Sequence, residues 1–315
     1  MNNSLRQFEL QTWVAPLGVC FWDDVSGRII SDGLRVIAYP TGQVTSKVQA
    51  FTNHSGVYAW RNLPGLSDFE HGTSTEQFLA HMPIPTRPFT VEVVDGLRRF
   101  QPFSFAVDVP CRGLFSWTCV EDASPPEPTI TCPPDRVQAG WVPLFSAPTR
   151  AVASGFAVIR ALLWDITADL PAAWAVLEAW IADRRVTRGF ADERGQVALI
   201  FPWPAPIDPA FDPSGSMQNL QQTPASPPLS APTQEKRALG EQVWPVKLQA
   251  RYAPVHPAPP IPDLCATLQQ APALLWSDVA RASPLPEVML KFGAELVVRS
   301  PDAIPRSVVL LSPAA

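Results

Sequence analysis

Short runs rich in Val, Ile and aromatic residues, each closed by Asp, Gly, Asn or Pro, set the hydrophobic pattern of this chain and predict β-strands. Residues 9–22 and 33–40 are the first two, and Leu34-Arg-Val-Ile-Ala-Tyr39 partly alternates, as a strand with one wetter face does. Asn53-His54-Ser55-Gly56 has the chemistry of a type I hairpin turn whose last residue needs positive φ, and residues 57–60 return from it as a strand. Residues 89–95 and 100–109 add two more around Gly96, with Val91, Val93, Phe103, Phe105 and Val107 expected to point inward.

The pattern then repeats in degenerate form. Phe21-Trp22-Asp23, the strand 34–39, the turn 53–56 and the aromatic strand after it recur as Leu163-Trp164-Asp165, 173–179, Asp192-Glu193-Arg194-Gly195 and 196–201. Eighteen positions separate Ala38 from Gly56, and eighteen separate Leu177 from Gly195. One β-module used twice is the expectation. Residues 171–183 are Ala-rich with Pro171 placed as at a helix start, but their place in the repeat favours a strand. Residues 243–252 and 290–299 would continue the second module as 89–94 and 98–109 continue the first. Residues 262–282 are the best place for a short helix, and 307–311 for a last strand.

The expected fold is mainly β: two tandem β-sandwich (transthyretin-like or Ig-like) modules with a long Pro-rich insertion. The first module covers residues 1–110, a Pro-rich connector 111–142, and the second module 143–315. A Pro-, Ser- and Gln-rich arm interrupts the second at 209–240, too long and too polar for an ordinary loop. The chain's 315 residues suit two domains of ordinary size, and 37 prolines with 17% charged residues suit punctuated strands better than long helices.

A net charge of −5 without a basic stripe gives no electrostatic reason for nucleic-acid binding, and no window is apolar enough to insert in a membrane. The opening residues lack a basic start followed by an apolar core, so cytoplasmic assembly is expected. Five cysteines at irregular spacing, without C-x-x-C, argue against a disulfide framework or a zinc knuckle, leaving buried or idle thiols.

His54, His71, His81 and His256 share no metal-ligand spacing, and there is no G-x-S-x-G, P-loop or G-x-G-x-x-G. Asp23, Asp24 and Asp32 fit no EF-hand and read as solvated turn residues, and 192–195 reads as a charged hairpin turn. No catalytic, cofactor-binding or metal-binding residue is assigned, and an enzyme is not expected. Tryptophans are the remaining chemistry: each is core, a protein-contact anchor or a sugar platform. Trp203, Trp244, Trp60 and Trp141 are the candidate interface residues, with Trp203, set among prolines at a strand end, foremost.

The order Leu34–Pro40, Thr52–Trp60, Leu63-Pro64-Gly65, Phe89-Thr-Val-Glu-Val and Phe100-Gln-Pro-Phe-Ser-Phe resembles the carboxypeptidase-regulatory-like, transthyretin-like β-sandwich. The second module matches it with Phe201-Pro202-Trp203 in place of Leu-Pro-Gly. Taken over most of the chain, residues 112–115, 143–150, 172–178, 188–195 and 201–204 resemble an accessory protein of phage-tail-like contractile injection systems. That resemblance implies a non-enzymatic, oligomeric part of a tube, sheath, cap or baseplate. Its partners would be other subunits of a large assembly, and the finished particle would be released or docked at a membrane. A glycan- or protein-recognition module is the alternative.

Overall fold

The computed structural model describes residues 14–71, 85–119, 140–205, 239–303 and 307–314. The first half contains β1 (Gly18–Val19), β2 (Phe21–Asp23), β3 (Leu34–Pro40), β4 (Val48–Gln49), β5 (Phe51–Thr52), β6 (Tyr58–Ala59), α1 (Ser67–His71), β7 (Arg87–Asp95), β8 (Phe103–Val109) and β9 (Val142–Leu144). The second contains β10 (Phe156–Asp165), β11 (Leu170–Pro171), β12 (Val176–Ile181), β13 (Arg184–Phe190), β14 (Gln196–Pro202), β15 (Val243–Arg251), α2 (Leu264–Leu268), β16 (Pro272–Trp276), β17 (Val288–Lys291), β18 (Leu296–Val298) and β19 (Val309–Pro313).

In the first half the sheet β4-β3-β7-β8 faces the strips β1-β6-β5 and β2-β9. Alternation is clean where one face is wet: along β8 every second residue is buried, so Phe103, Phe105 and Val107 point inward with Val91 and Val93 of β7. Each such side chain contributes about 1.5–3 kcal/mol by leaving water. Phe21 and Phe105 close the sandwich from opposite sides, with ring centroids 6.5 Å apart.

The second half repeats this plan with longer strands. β12 pairs with β13 and β15 as β3 pairs with β4 and β7. β10 pairs antiparallel with β14 as β1 does with β6. Phe21-Trp22-Asp23 runs parallel to β9, and Leu163-Trp164-Asp165 runs parallel to β19. The connector expected to end at 142 is therefore followed by a strand that completes the first sandwich. Residues 171–183 contain β12 and not a helix.

The two turns match bond for bond. Asn53 Oδ1 accepts from the amides of Ser55 and Val57, and Asp192 Oδ1 accepts from those of Arg194 and Gln196. Gly56 and Gly195 both have φ +79°, the left-handed conformation that closes each turn.

The halves share a core. Trp174, Val176 and Phe190 of the second half, with Leu264 and Leu268 of α2, belong to the buried cluster formed by the first. The Phe145 and Phe190 rings meet at 5.5 Å, and Gln101 Nε2 donates to the Phe190 carbonyl at 3.2 Å. Asp263 caps α2 by accepting from the Ala266 amide, while the Ser104 amide donates to the Pro262 carbonyl beside β8.

Cys119 and Cys265 form a disulfide across this junction, 146 positions apart in sequence, which corrects the expectation of idle thiols. Cys20 and Cys111 are free, and Cys132 lies outside the described residues. Residues 9–13, 209–238 of the arm, 120–139 of the connector and His81 also lie outside them.

Candidate functional site

A groove runs along one side of the junction. Its walls are the 97–99 turn after β7, the linker 149–154, Trp203 just past β14, and the 293–295 turn between β17 and β18. It comprises hollows of about 370 and 560 Å³ that share Arg150 and Ala151.

Four arginines line it, and three of them grip acidic side chains. Arg99 Nε lies 3.0 Å from Asp95 Oδ2, and its Nη1 lies 3.3 Å from Asp32. Arg150 holds Asp23 with Nη1 at 2.8 Å and Nη2 at 2.6 Å. Arg160 Nε lies 2.9 Å from Glu295, and its two terminal nitrogens donate to the carbonyls of Pro148 and Arg150. Arg98 completes the set in the larger hollow. The Arg150 and Arg160 guanidiniums hold the linker in place, because β10 fixes Arg160 and β2 fixes Asp23 on either side of it.

The structure corrects the expectation that Asp23 is a solvated turn residue: it is 2% exposed. Burial pushes its pKa up, but the Arg150 bond, the Ser26 hydroxyl, the Arg150 charge and the Val25 amide outweigh burial and hold it below the ordinary carboxylate range. Asp32 is exposed as expected. Among the described residues no group of three His, Cys, Asp or Glu side chains is placed to hold a metal ion.

The four tryptophans separate. Trp60 is fully buried and donates from Nε1 to the Val48 carbonyl, and Trp244 is 1% exposed and donates to the Ala205 carbonyl. Both are core, which corrects their assignment as contact residues, since an enclosed ring offers no face to a partner. Trp141 is half-buried just before β9. Trp203 is half-buried, packs at a tilt with its ring centroid 4.9 Å from Phe292 and 5.8 Å from Trp244, and lines the smaller hollow. Its Nε1 is buried without a hydrogen-bond partner. The described structure stops at Ala205, beside this aromatic cluster and four positions before the arm, and resumes at Leu239.

Sequence reasoning missed the Arg150 and Arg160 brackets because their partners are remote: Asp23 and Arg150 are 127 positions apart, and Arg160 and Glu295 are 135 apart. The only advance signal is an Arg-containing linker, Pro148-Thr149-Arg150, at the start of the second repeat.

No family model and no curated protein matches the chain, so neither sequence resemblance gains support from those comparisons. Among solved structures, the shaft pilin SpaA of Lactobacillus rhamnosus GG aligns over 96% of this chain and 98% of its own, at 7% identity and a TM-score of 0.23. A point mutant of the same pilin gives 9% identity and 0.22 over 96% and 99%. The Bacillus anthracis TIE protein aligns over 61% of this chain and 26% of its own, at 10% identity and 0.22. Scores this low transfer neither a fold nor a role.

Proposed function

We propose that this chain is a structural subunit of a large protein assembly of the phage-tail-like contractile injection type, working through protein contacts. The observation that carries the reading is the junction. The buried core of the first β-module takes in side chains of the second, and Arg150 in the linker grips Asp23 of the first, so the two modules are tied together. Two tied modules with a long polar arm suit a part that holds its neighbours at fixed spacing. Assembly in the cytoplasm before the particle is released or docked is part of the same reading.

Deleting residues 209–238 tests it. The shortened chain should keep its circular dichroism and fail to enter particles in its host; particles at full yield would sink the idea.

A second reading has one observation in its favour. Trp203 lines a hollow of about 370 Å³ alongside the Arg160–Glu295 pair, an aromatic face next to a donor and an acceptor, as hydroxyl-rich ligands require. A glycan array in which signal is present for the native chain and lost for Trp203→Ala would favour recognition over assembly.

A further inference from the structure

Cys119 and Cys265 are each positioned by contacts that owe nothing to the bond between them. On one side, residues 111–119 run along the first sandwich. The Cys111 amide donates to Pro16, the Phe115 amide to Gly18 and the Trp117 amide to Gly140. The Phe115 ring stacks on Phe105 with centroids 5.3 Å apart. On the other side, Cys265 rides on α2, whose Leu264 and Leu268 are buried in the shared core and whose cap is Asp263. The fold thus brings the two sulfurs together from different modules before any covalent step.

We infer that Cys119–Cys265 is a staple that closes after the modules have docked, and that the chain carries out its role in a thiol-oxidising environment. Disulfides persist in such environments and are kept reduced in the cytosol, so the closed bond belongs to a stage after cytoplasmic assembly. Closure balances as an exchange with a disulfide-type oxidant. One cysteine thiolate attacks the oxidant's disulfide and expels a thiol; the second then attacks the mixed disulfide and expels the other. Two protons and two electrons leave the protein, and the oxidant ends as two thiols.

The remaining described cysteines do not compete. Cys20 is buried, and burial raises its pKa. Burial, then the nearby Asp108 charge, pushes the Cys111 thiol up to about 11, so little thiolate forms at neutral pH. The staple's mechanical effect falls on the exposed strip that includes Arg112, which it ties to the second module.

The test uses the full chain, purified reduced and then exposed to oxidised glutathione, with free thiols alkylated before peptide mapping. A linked 119–265 peptide, with Cys20 and Cys111 alkylated only after denaturation, is expected. Free Cys119 and Cys265, or pairing with any other cysteine, overturns the inference. The order of events is read from the reduced chain and from the Cys119→Ser/Cys265→Ser variant. Both should keep the native near-ultraviolet circular dichroism, while tryptic cleavage at Arg112 should rise about tenfold without the bond, as a locally opened strip allows. Loss of the native spectrum in the reduced chain refutes closure after docking, and cleavage at the same rate with and without the bond refutes the mechanical tie. Alkylation in the host distinguishes this outcome from failure of the assembly reading, because it reports the thiol state whether or not particles form.

Discussion

Replacing Arg150 with Met isolates the value of the bracket between the modules. Met keeps an unbranched apolar stem against Phe100, over whose ring the Arg150 guanidinium sits at 4.9 Å, and removes only the charge and its donors. Asp23, with 3% of its side chain exposed, would keep Ser26 and the Val25 amide but lose both charged bonds. Breaking a buried pair from one side costs about 3–5 kcal/mol, because the remaining charge is stranded. The pH dependence follows in sign. In the native chain the folded pKa of Asp23 is depressed below its unfolded value, so its contribution is present above the unfolded pKa, about 3.9, and is lost as pH falls through the folded one. In Arg150→Met burial dominates, the carboxyl protonates more readily, and the deficit narrows as pH falls toward 4. Urea unfolding at pH 7 and pH 4, with Asp23→Asn/Arg150→Met closing a double-mutant cycle, reads both effects. A cost below about 1 kcal/mol at pH 7, as an exposed pair would give, refutes the reasoning.

Gly56→Ala should cost about 1–2 kcal/mol for the left-handed backbone alone, and the new Cβ also meets the Ile29 side chain at 2.9 Å. Gly195→Ala should cost distinctly more, because its Cβ would sit 2.4 Å from the Leu163 carbonyl oxygen; equal losses in thermal unfolding would contradict this. Trp60→Ala should destabilise by about 3–5 kcal/mol and Trp203→Ala by much less, and denaturant midpoints decide whether core and groove are correctly told apart. All three tyrosines, Tyr39, Tyr58 and Tyr252, have raised pKa values, chiefly through burial, with Tyr39 and Tyr252 pushed up to about 12. Stability should therefore decline as pH rises from about 10 to 12, and a native phenolate titration centred at 10 would show the burial to be wrong.

What can be read from the sequence is local or periodic. The turns at Asn53 and Asp192 are legible because their bonds span at most four positions. The inward positions of β7 and β8 are legible because period two fixes a face. What escapes depends on residues remote in sequence. β9 reads as the start of the second module until its parallel pairing with β2 is seen, and the shared core then assigns Trp174 and Phe190 to both halves. The burial of Trp60 and Trp244 is equally invisible, since a Trp flanked by apolar residues reads the same in a core and at a contact. Trp203, which lines the smaller hollow, is the tryptophan that the Trp203→Ala experiments address.

The repeat also explains why the halves are not interchangeable. Asp23 and Asp165 occupy the same slot, each ending the strand that runs parallel to its module's last strand, and each accepts from the amide two residues on. Asp165 finds its further partner, the Tyr252 hydroxyl, within its own module, whereas Asp23 takes Arg150 from the linker to the next. The first core likewise borrows Trp174, Val176, Phe190, Leu264 and Leu268. If half of each borrowed side chain's burial comes from the other module, five of them at about 1.5–3 kcal/mol give roughly 4–7 kcal/mol of coupling. A typical domain is stable by only about 5–15 kcal/mol, so losing the second module should remove a large share of the first module's stability. Calorimetry of the intact chain should show one transition, and two well-separated transitions would mean that the shared core does not couple the halves.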